Sequence, residues 1–288
     1  MPKPRAILKR RKAVQNIAKI TKTMQMIATA RFKKAFDRAV AARPYTDRMA
    51  EVVAELAAAA GEFKHPLLEV REPRRRVLVA IASNRGLCGG YNSGVLRQTI
   101  GAWREGKEAG AAPTLVVAGR KLANGLRFAG VPVATVHVQF EDKPTFAQVE
   151  DAVRPYVMAY AQGELDELRI AYTKFESSAR QRPVIERVLP FEVPAKKAGK
   201  GPSRDWIFDP SAEAILTDLI PRTVRLRVFQ AFLDAAVSEQ VARMTAMKSA
   251  TDNARDMIKA LGRLFNRSRQ SQITTELTEI MGGAAALE

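Results

Sequence analysis

Two long stretches of helical composition stand at opposite ends of this 288-residue chain. The first runs from about Arg5 to about Ala60, and the second runs from about Arg222 to about Leu287 without a proline. At a rise of 1.5 Å per residue, the second helix would measure about 95 Å, which exceeds the width of a compact domain. The sequence therefore predicts two helices that bridge a long distance and are joined through the middle of the chain.

The first helix carries one apolar stripe and two prolines, which are expected to affect the helix differently. Pro4 suits the first helical turn, where a backbone N–H has no helical partner. Pro44 is predicted to kink or interrupt the helix. The stripe follows the spacing i, i+3, i+7 and i+10 along one face: Ile17, Ile20, Met24 and Ile27.

The second helix carries the seam of a two-stranded coiled coil, interrupted at Gln240 and Thr251. Helix is predicted to restart at Asp209, with a break at Pro221 before the long run. Seam residues are spaced by three, four or their sums: Leu226, Phe229, Leu233, Val237, Met244, Met247, Ile258 and Leu261. A row of small residues permits close approach: Ala246, Ala250 and Ala254. The two terminal helices are therefore predicted to pair antiparallel.

Between these helices, short apolar runs alternate with helical segments, which predicts a small parallel α/β sheet. The predicted strands are Val77–Ala82, Thr114–Ala118 and Val133–Phe140, and the predicted helices are Asn92–Glu108, Arg120–Phe128 and Phe146–Ala161. Leu168–Glu176 and Pro183–Phe191 are predicted as two further strands that form a hairpin. The predicted domains are an N-terminal helix over 1–70, an α/β domain over 71–208 with a flexible loop at 195–203, and a C-terminal helix over 209–288.

The net charge of +17 is concentrated in the first helix. Residues 1–50 hold 14 Lys and Arg against Asp37 and Asp47, whereas residues 51–221 hold 23 basic and 21 acidic groups. Such a field attracts polyanions or an acidic protein surface, although a merely solvated basic face is the simpler alternative. No apolar run approaches the roughly 20 residues that span a bilayer, and the basic N-terminus lacks the apolar segment of a signal peptide.

A glycine-rich turn follows the first predicted strand, from Ser83 to Asn92 (SNRGLCGGYN). It matches neither the dinucleotide-binding fingerprint nor the Walker A motif. We therefore interpret Gly86, Gly89 and Gly90 as residues of a tight structural turn, and Asn92 as the N-cap of the next helix.

The sequence offers no convincing active site, metal site or cofactor site. Cys88 is the single cysteine, which excludes an internal disulfide and fits a reducing compartment. Because His65 and His137 have no recognisable motif around them, we interpret Cys88 as a small buried residue rather than a nucleophile. One Cys and two His also fall short of a zinc site.

The end of the second helix is polar in an unusual way. Arg269, Gln270 and Thr274 are hydrogen-bonding types, and the segment then becomes small and almost uncharged from Gly282 onward. Such a narrow tip would suit a sleeve formed by another protein, although a frayed terminus is the alternative.

Four segments together resemble the gamma subunit of the rotary F-type ATP synthase, of the bacterial type. They are KRRKAVQNIAKITKTMQMIATARFKKA, SNRGLCGGYN, ARMTAMKSATDNARDMIKAL and NRSRQSQITTELTEIMGGAAA, and the likeness extends over essentially the whole chain. The resemblance implies a fold in which the N- and C-terminal helices pair as a shaft above a small α/β domain. It also implies a non-catalytic rotor subunit that couples ion-driven rotation to ATP synthesis.

The same resemblance implies partners and contact residues. The partners would be a ring of alpha and beta subunits, the epsilon subunit and the membrane c-ring, with one copy of this chain per complex. Met24, Arg269, Gln270 and Thr274 match residues that contact beta-subunit loops. A basic face would oppose acidic beta-subunit loops: Arg10, Arg11, Lys12, Lys19 and Lys22. The complex would lie at the cytoplasmic side of the inner membrane, with this chain as a peripheral subunit.

Asn84 departs from the resemblance, because the family usually has Asp at this position. Two functions from other classes remain open on the residues alone. A basic coiled-coil protein that binds nucleic acid would account for the charge. A nucleotide-dependent α/β enzyme would account for the middle of the chain but lacks a phosphate fingerprint.

Overall fold

The computed structural model describes residues 4–60, 63–193 and 211–285. Its helices are α1 (Pro4–Ala60), α2 (Tyr91–Glu108), α3 (Arg120–Phe128), α4 (Phe146–Ala161) and α5 (Ala212–Ala285). Its strands are β1 (Arg76–Ile81), β2 (Thr114–Ala118), β3 (Thr135–His137), β4 (Glu167–Phe175) and β5 (Gln181–Leu189). The alternation of strands and helices predicted for the middle of the chain is confirmed.

Neither long helix is interrupted by its internal proline, contrary to the prediction. Pro44 lies within the 57 residues of α1, and Pro221 lies within the 74 residues of α5. A proline removes one helical hydrogen bond, but packing on both sides can hold the helix together. Around Pro221 that packing comes from buried Leu216, Ile220 and Val224. The predicted restart at Asp209 and the predicted flexible loop at 195–203 lie outside the described residues.

Contacts divide the chain into two compact units, and each long helix contributes to both. One unit combines the chain up to Thr29 with the chain from Arg243 onward, and the other is Ala30–Ala242. The domains predicted from the sequence were 1–70, 71–208 and 209–288. That division follows the order of the chain, whereas the two units are defined by contacts, so it remains a prediction.

The Ala30–Ala242 unit is built on one five-stranded sheet of order β3-β2-β1-β4-β5. Strands β1 to β4 run parallel, and β5 pairs antiparallel with β4, so the predicted terminal hairpin is confirmed. Both faces are covered, as parallel strands require. Helices α2 and α3 pack on one face, where Leu78 and Leu115 are buried. Helix α4 and segments of α1 and α5 pack on the other.

Strand β3 is shorter than the predicted Val133–Phe140. After His137 the backbone leaves the sheet, and two of its carbonyls accept from a side chain instead of a strand. The Asn84 Nδ2 donates to Val138 O at 3.0 Å and to Phe140 O at 2.8 Å. These bonds replace ladder bonds at the edge of the sheet, which sequence patterns do not reveal.

The other unit is a pair of antiparallel helical segments from α1 and α5. Buried Ile7, Val14, Ala254 and Leu261 form its core. The antiparallel direction of the two segments follows from two contacts at different positions along the pair. Arg11 lies over the ring of Phe265, whereas the hydroxyls of Thr21 and Thr251 are 2.8 Å apart. The predicted antiparallel pairing of the terminal helices is therefore confirmed within this unit.

Thr251 and Gln240, the polar residues predicted to interrupt the apolar seam of α5, are both buried, at 2% and 1% exposure. The Thr251 hydroxyl donates within its own helix to Met247 O at 2.8 Å and also meets the Thr21 hydroxyl. A polar side chain can occupy a seam position when it is hydrogen-bonded there.

Candidate partner-binding surfaces

The apolar stripe predicted on α1 faces solvent rather than the helix pair. Ile17, Ile20 and Ile27 are 52%, 59% and 48% exposed, and Met24 is half-buried. The helix pair instead uses a neighbouring face of α1, centred on Ile7 and Val14. The spacing therefore identified one face of α1 correctly, and this face is not the one that packs against α5. Exposed apolar side chains in a row on one helix are typical of a protein-binding surface.

The basic residues of α1 do not form a single face. Lys12, Lys19 and Lys22 are exposed and are spaced by seven and three, which places them on one side of the helix. Arg10 is exposed but lies two residues before Lys12, so it projects in another direction. Arg11 is half-buried, and its guanidinium carbon lies 5.9 Å from the centre of the Phe265 ring. Arg11 therefore packs within the helix pair and also contributes to the positive charge of α1.

The C-terminal part of α5 is exposed at every described side chain from Arg269 to Gly283. Arg269, Gln270 and Thr274 all lie here, and the Thr274 hydroxyl donates to Gln270 O at 3.0 Å. An apolar row at i, i+4 and i+7 runs along the same segment: Ile273, Leu277 and Ile280. The amide of Gln270 lies one turn before Thr274, on nearly the same face as this row. This segment combines apolar area with hydrogen-bonding groups, as a protein interface does.

In the glycine-rich turn between β1 and α2, only one of the three predicted glycines has a backbone conformation that favours glycine. Gly89 has a φ of +55°, whereas no positive φ occurs at Gly86 or Gly90. A Cβ at Gly86 or Gly90 would meet only ordinary contacts. Leu87 also adopts a positive φ, +64°, and its side chain is exposed.

Asn92 is not the N-cap of α2, because the helix begins at Tyr91 and Gly90 occupies the cap position. Its side chain turns back into the loop instead. The Asn92 Oδ1 accepts from the backbone N–H of Ser83 at 3.0 Å, and its Nδ2 lies 3.2 Å from the Cys88 sulfur. Cys88 is buried, which confirms its interpretation as a small interior residue.

The crevice where open α/β sheets bind ligands is filled by the chain itself. In such sheets, ligands lie at the carboxyl ends of the strands where the strand order reverses, here between β1 and β4. The Ser238 hydroxyl of α5 donates to Thr173 O at 3.0 Å, and the Tyr91 hydroxyl donates to Ala235 O at 3.1 Å. The ring of Phe175 packs against Phe32 of α1. The long helices therefore occupy the position of a nucleotide.

Asn84 has a role that the sequence did not reveal. Besides its two bonds to the chain after β3, its Oδ1 accepts from the backbone N–H of Arg120 at 3.0 Å. One amide therefore links the ends of β1, β2 and β3. Donation to carbonyls is a task that an ionised carboxylate cannot perform.

Two further features bear on ligands and membranes. Among the residues with described positions, no group of three or more His, Cys, Asp or Glu could hold a metal ion. Within the same residues, no helix is both long and apolar enough to cross a bilayer.

Comparison with known proteins identifies the family. A family model described as ATP synthase matches residues 3–287. The ATP synthase gamma chain of Rhodopirellula baltica is 47% identical over 298 residues, and that of Desulforamulus reducens is 40% identical over 288 residues. Both alignments cover 100% of each chain. The nucleic-acid-binding alternative finds no support in these relatives.

Solved structures show the same fold. A chain from the rotor of Euglena gracilis mitochondrial ATP synthase superposes with a TM-score of 0.64 at 18% identity, covering 94% of this chain and 98% of that one. A chain from the central stalk and c-ring of the Tetrahymena thermophila enzyme gives 0.57 at 23% identity, covering 80% and 99%. With relatives this similar along their full length, the chain belongs to the ATP synthase gamma chain family.

Proposed function

We propose that this chain is the non-catalytic central rotor subunit of an F-type ATP synthase, in which rotation of a membrane c-ring drives ATP synthesis at beta subunits. The observation that carries the proposal is the pair of exposed apolar faces on the long helices, in a chain whose relatives are gamma chains along their full length. Catalysis would then lie on the beta subunits, and this chain would need no cofactor.

The proposed partners are the ring of alpha and beta subunits around the helices, the epsilon subunit and the c-ring, with one copy of this chain per complex. Structures of similar fold come from a central stalk with its c-ring and from a rotor, which supports this choice of partners. We propose that Arg269, Gln270 and Thr274 hydrogen-bond beta-subunit loops. Met24 and the basic residues of α1 would meet acidic loops of the same subunits.

The proposed mechanism rests on stiffness, asymmetry and weak attachment. A packed antiparallel helix pair resists bending more than one helix does, because each seam contact constrains both segments. The two helices differ in charge and apolar area, so each angle of the rotor would favour a different state of each surrounding subunit. Exposed ion pairs contribute at most about 1 kcal/mol each, which permits stepping from one angle to the next.

The proposed location is peripheral, at the cytoplasmic side of the inner membrane. The chain would reach the membrane through the c-ring rather than by insertion. Its excess of Lys and Arg in residues 1–50 would face acidic subunit loops rather than lipid.

Reconstitution tests this proposal. Alpha and beta subunits would be assembled with the full chain, without it, and with a chain that lacks Arg267–Glu288. We expect the full chain to promote assembly and raise ATP turnover, and the truncated chain to do so less, because the exposed apolar row at Ile273, Leu277 and Ile280 is lost. A full chain that changes neither assembly nor turnover would refute the rotor function.

A further inference from the structure

The loop between β3 and α4 contacts both long helices through a single carboxylate. The Asp142 Oδ2 lies 2.5 Å from Nη1 of Arg31 on α1. The Asp142 Oδ1 accepts from Nε2 of Gln240 on α5 at 2.9 Å. Each carboxylate oxygen therefore binds a different helix, and all three residues belong to the Ala30–Ala242 unit.

The burial of Gln240 makes the loss of this contact costly. Gln240 is only 1% exposed, whereas the side chains of Asp142 and Arg31 are 28% and 39% exposed. Gln240 Oε1 is buried and has no hydrogen-bond partner within the described part of the chain. Without Asp142, the buried amide would lose the bond that its Nε2 makes. Leaving a buried polar group unpaired costs more than the bond contributes when it is made.

The contact also lies at a particular position along the helices. Arg31 and Gln240 are close to Ala30 and Ala242, the residues at which α1 and α5 leave this unit. Nearby, Phe32 packs against Phe175, and Ser238 bonds to Thr173 O. Those two contacts hold each helix to β4 separately. Asp142 differs because it holds both helices to one loop.

We propose that Asp142 is a positioning residue for rotary coupling: it fixes α1 and α5 to the loop after β3, so that torque on the helix pair passes to the sheet as one body. The inference rests on the proposed rotor function. Without Asp142, each helix would keep its own contact to β4 but would no longer be tied to the other helix through one loop. Small independent motions of the two helices would then dissipate part of the torque.

The test compares Asp142→Ala with a matched control, Asp151→Ala. Asp151 also pairs with an arginine, Arg154, at 2.9 Å, but this exposed pair lies within α4 and involves neither long helix. The complete complex would be placed in vesicles, and ATP-driven proton pumping would be measured together with ATP hydrolysis. We expect the number of protons pumped per ATP to fall in Asp142→Ala and to stay unchanged in Asp151→Ala.

Two further measurements separate positioning from simple stability. Amide exchange of residues 138–145 in the full chain should speed up about five- to thirtyfold in Asp142→Ala, the range that loss of 1–2 kcal/mol corresponds to. The swapped pair Arg31→Asp with Asp142→Arg should restore pumping per ATP in part. It rebuilds the ion pair to α1, and a turn of the Gln240 amide lets Oε1, which lacks a partner, accept from the new guanidinium.

The outcomes are distinct. If Asp142→Ala lowers only the yield of complex, while assembled complexes pump normally, the residue is merely structural and the inference is overturned. Equal pumping per ATP in the two alanine variants would overturn it as well. If the unmodified chain supports no pumping at all, the proposed function itself fails.

Discussion

Asp166 should make the stability of this protein depend on pH in a defined acidic range. The guanidinium of Arg75 hydrogen-bonds its carboxylate at 2.7 Å, and the backbone N–H of Arg75 donates to it at the same distance. The Arg74 N–H donates at 3.2 Å. These bonds favour the ionised form, with the side-chain bond from Arg75 first among them, and lower the pKa of Asp166 from 3.8 to about 2.

The sign and size of the effect follow from this shift. A carboxyl whose pKa is lower in the folded state stabilises the fold above its unfolded pKa, and this contribution is lost as pH falls toward the folded pKa. A shift of nearly two units corresponds at most to about 2.5 kcal/mol. Because the Arg75 side chain is 55% exposed, solvent screens the pair and we expect about 1–2 kcal/mol.

Urea unfolding at a series of pH values between 7 and 2 measures this contribution. Asp166→Asn should be less stable than the unmodified chain at pH 7, and the difference should shrink between pH 4 and pH 2. Asp151→Asn, at an exposed ion pair, provides the control and should change little at any pH. A constant difference between Asp166→Asn and the unmodified chain across this range would refute the reasoning.

Two further substitution pairs test the fold and the exposed face of α1. Gly119 has a φ of +122°, and a Cβ there would lie 2.3 Å from Ala82 O, so Gly119→Ala should cost at least about 3 kcal/mol in urea unfolding. Gly101→Ala, where a Cβ meets nothing within 4 Å, should not destabilise the protein; equal effects would contradict this packing. Ile20→Ser on the exposed stripe should change the unfolding free energy by less than about 0.5 kcal/mol yet weaken assembly with alpha and beta subunits. Val14→Ala, in the buried seam, should cost about 1.5 kcal/mol; the reverse ranking of unfolding energies would show that the seam is misassigned.

The sequence predicted the α/β part of the fold closely because its local signals agree. The bounds of β2, α3 and α4 were predicted to the residue, since apolar runs, glycines and the cap at Thr145 coincide there. Predictions failed where tertiary contacts override local signals. Pro221 was expected to break a helix that core packing keeps continuous. Asn92 was expected to cap a helix but binds Ser83 instead.

The contact surfaces were predictable only in part. Periodicity identified the stripe of Ile17, Ile20, Met24 and Ile27 but could not tell which of two neighbouring faces meets the other helix. The pair buries Ile7 and Val14 on the neighbouring face, together with hydrogen-bonded polar residues such as Thr21 and Thr251, which hydrophobicity alone does not mark. Asp142 carried no signal, because a single charged loop residue resembles any solvated one until the fold brings Arg31 and Gln240 to it.

Direct observation of rotation tests the central claim. A probe would be attached at Phe128→Cys, because Phe128 is exposed at the end of α3, whereas the native Cys88 is buried and should not react. With the alpha and beta subunits fixed to a surface, ATP should drive the probe in one direction, and the motion should stop when ATP is removed. A probe that stays still, or that moves equally in both directions during sustained hydrolysis, would contradict the rotor function.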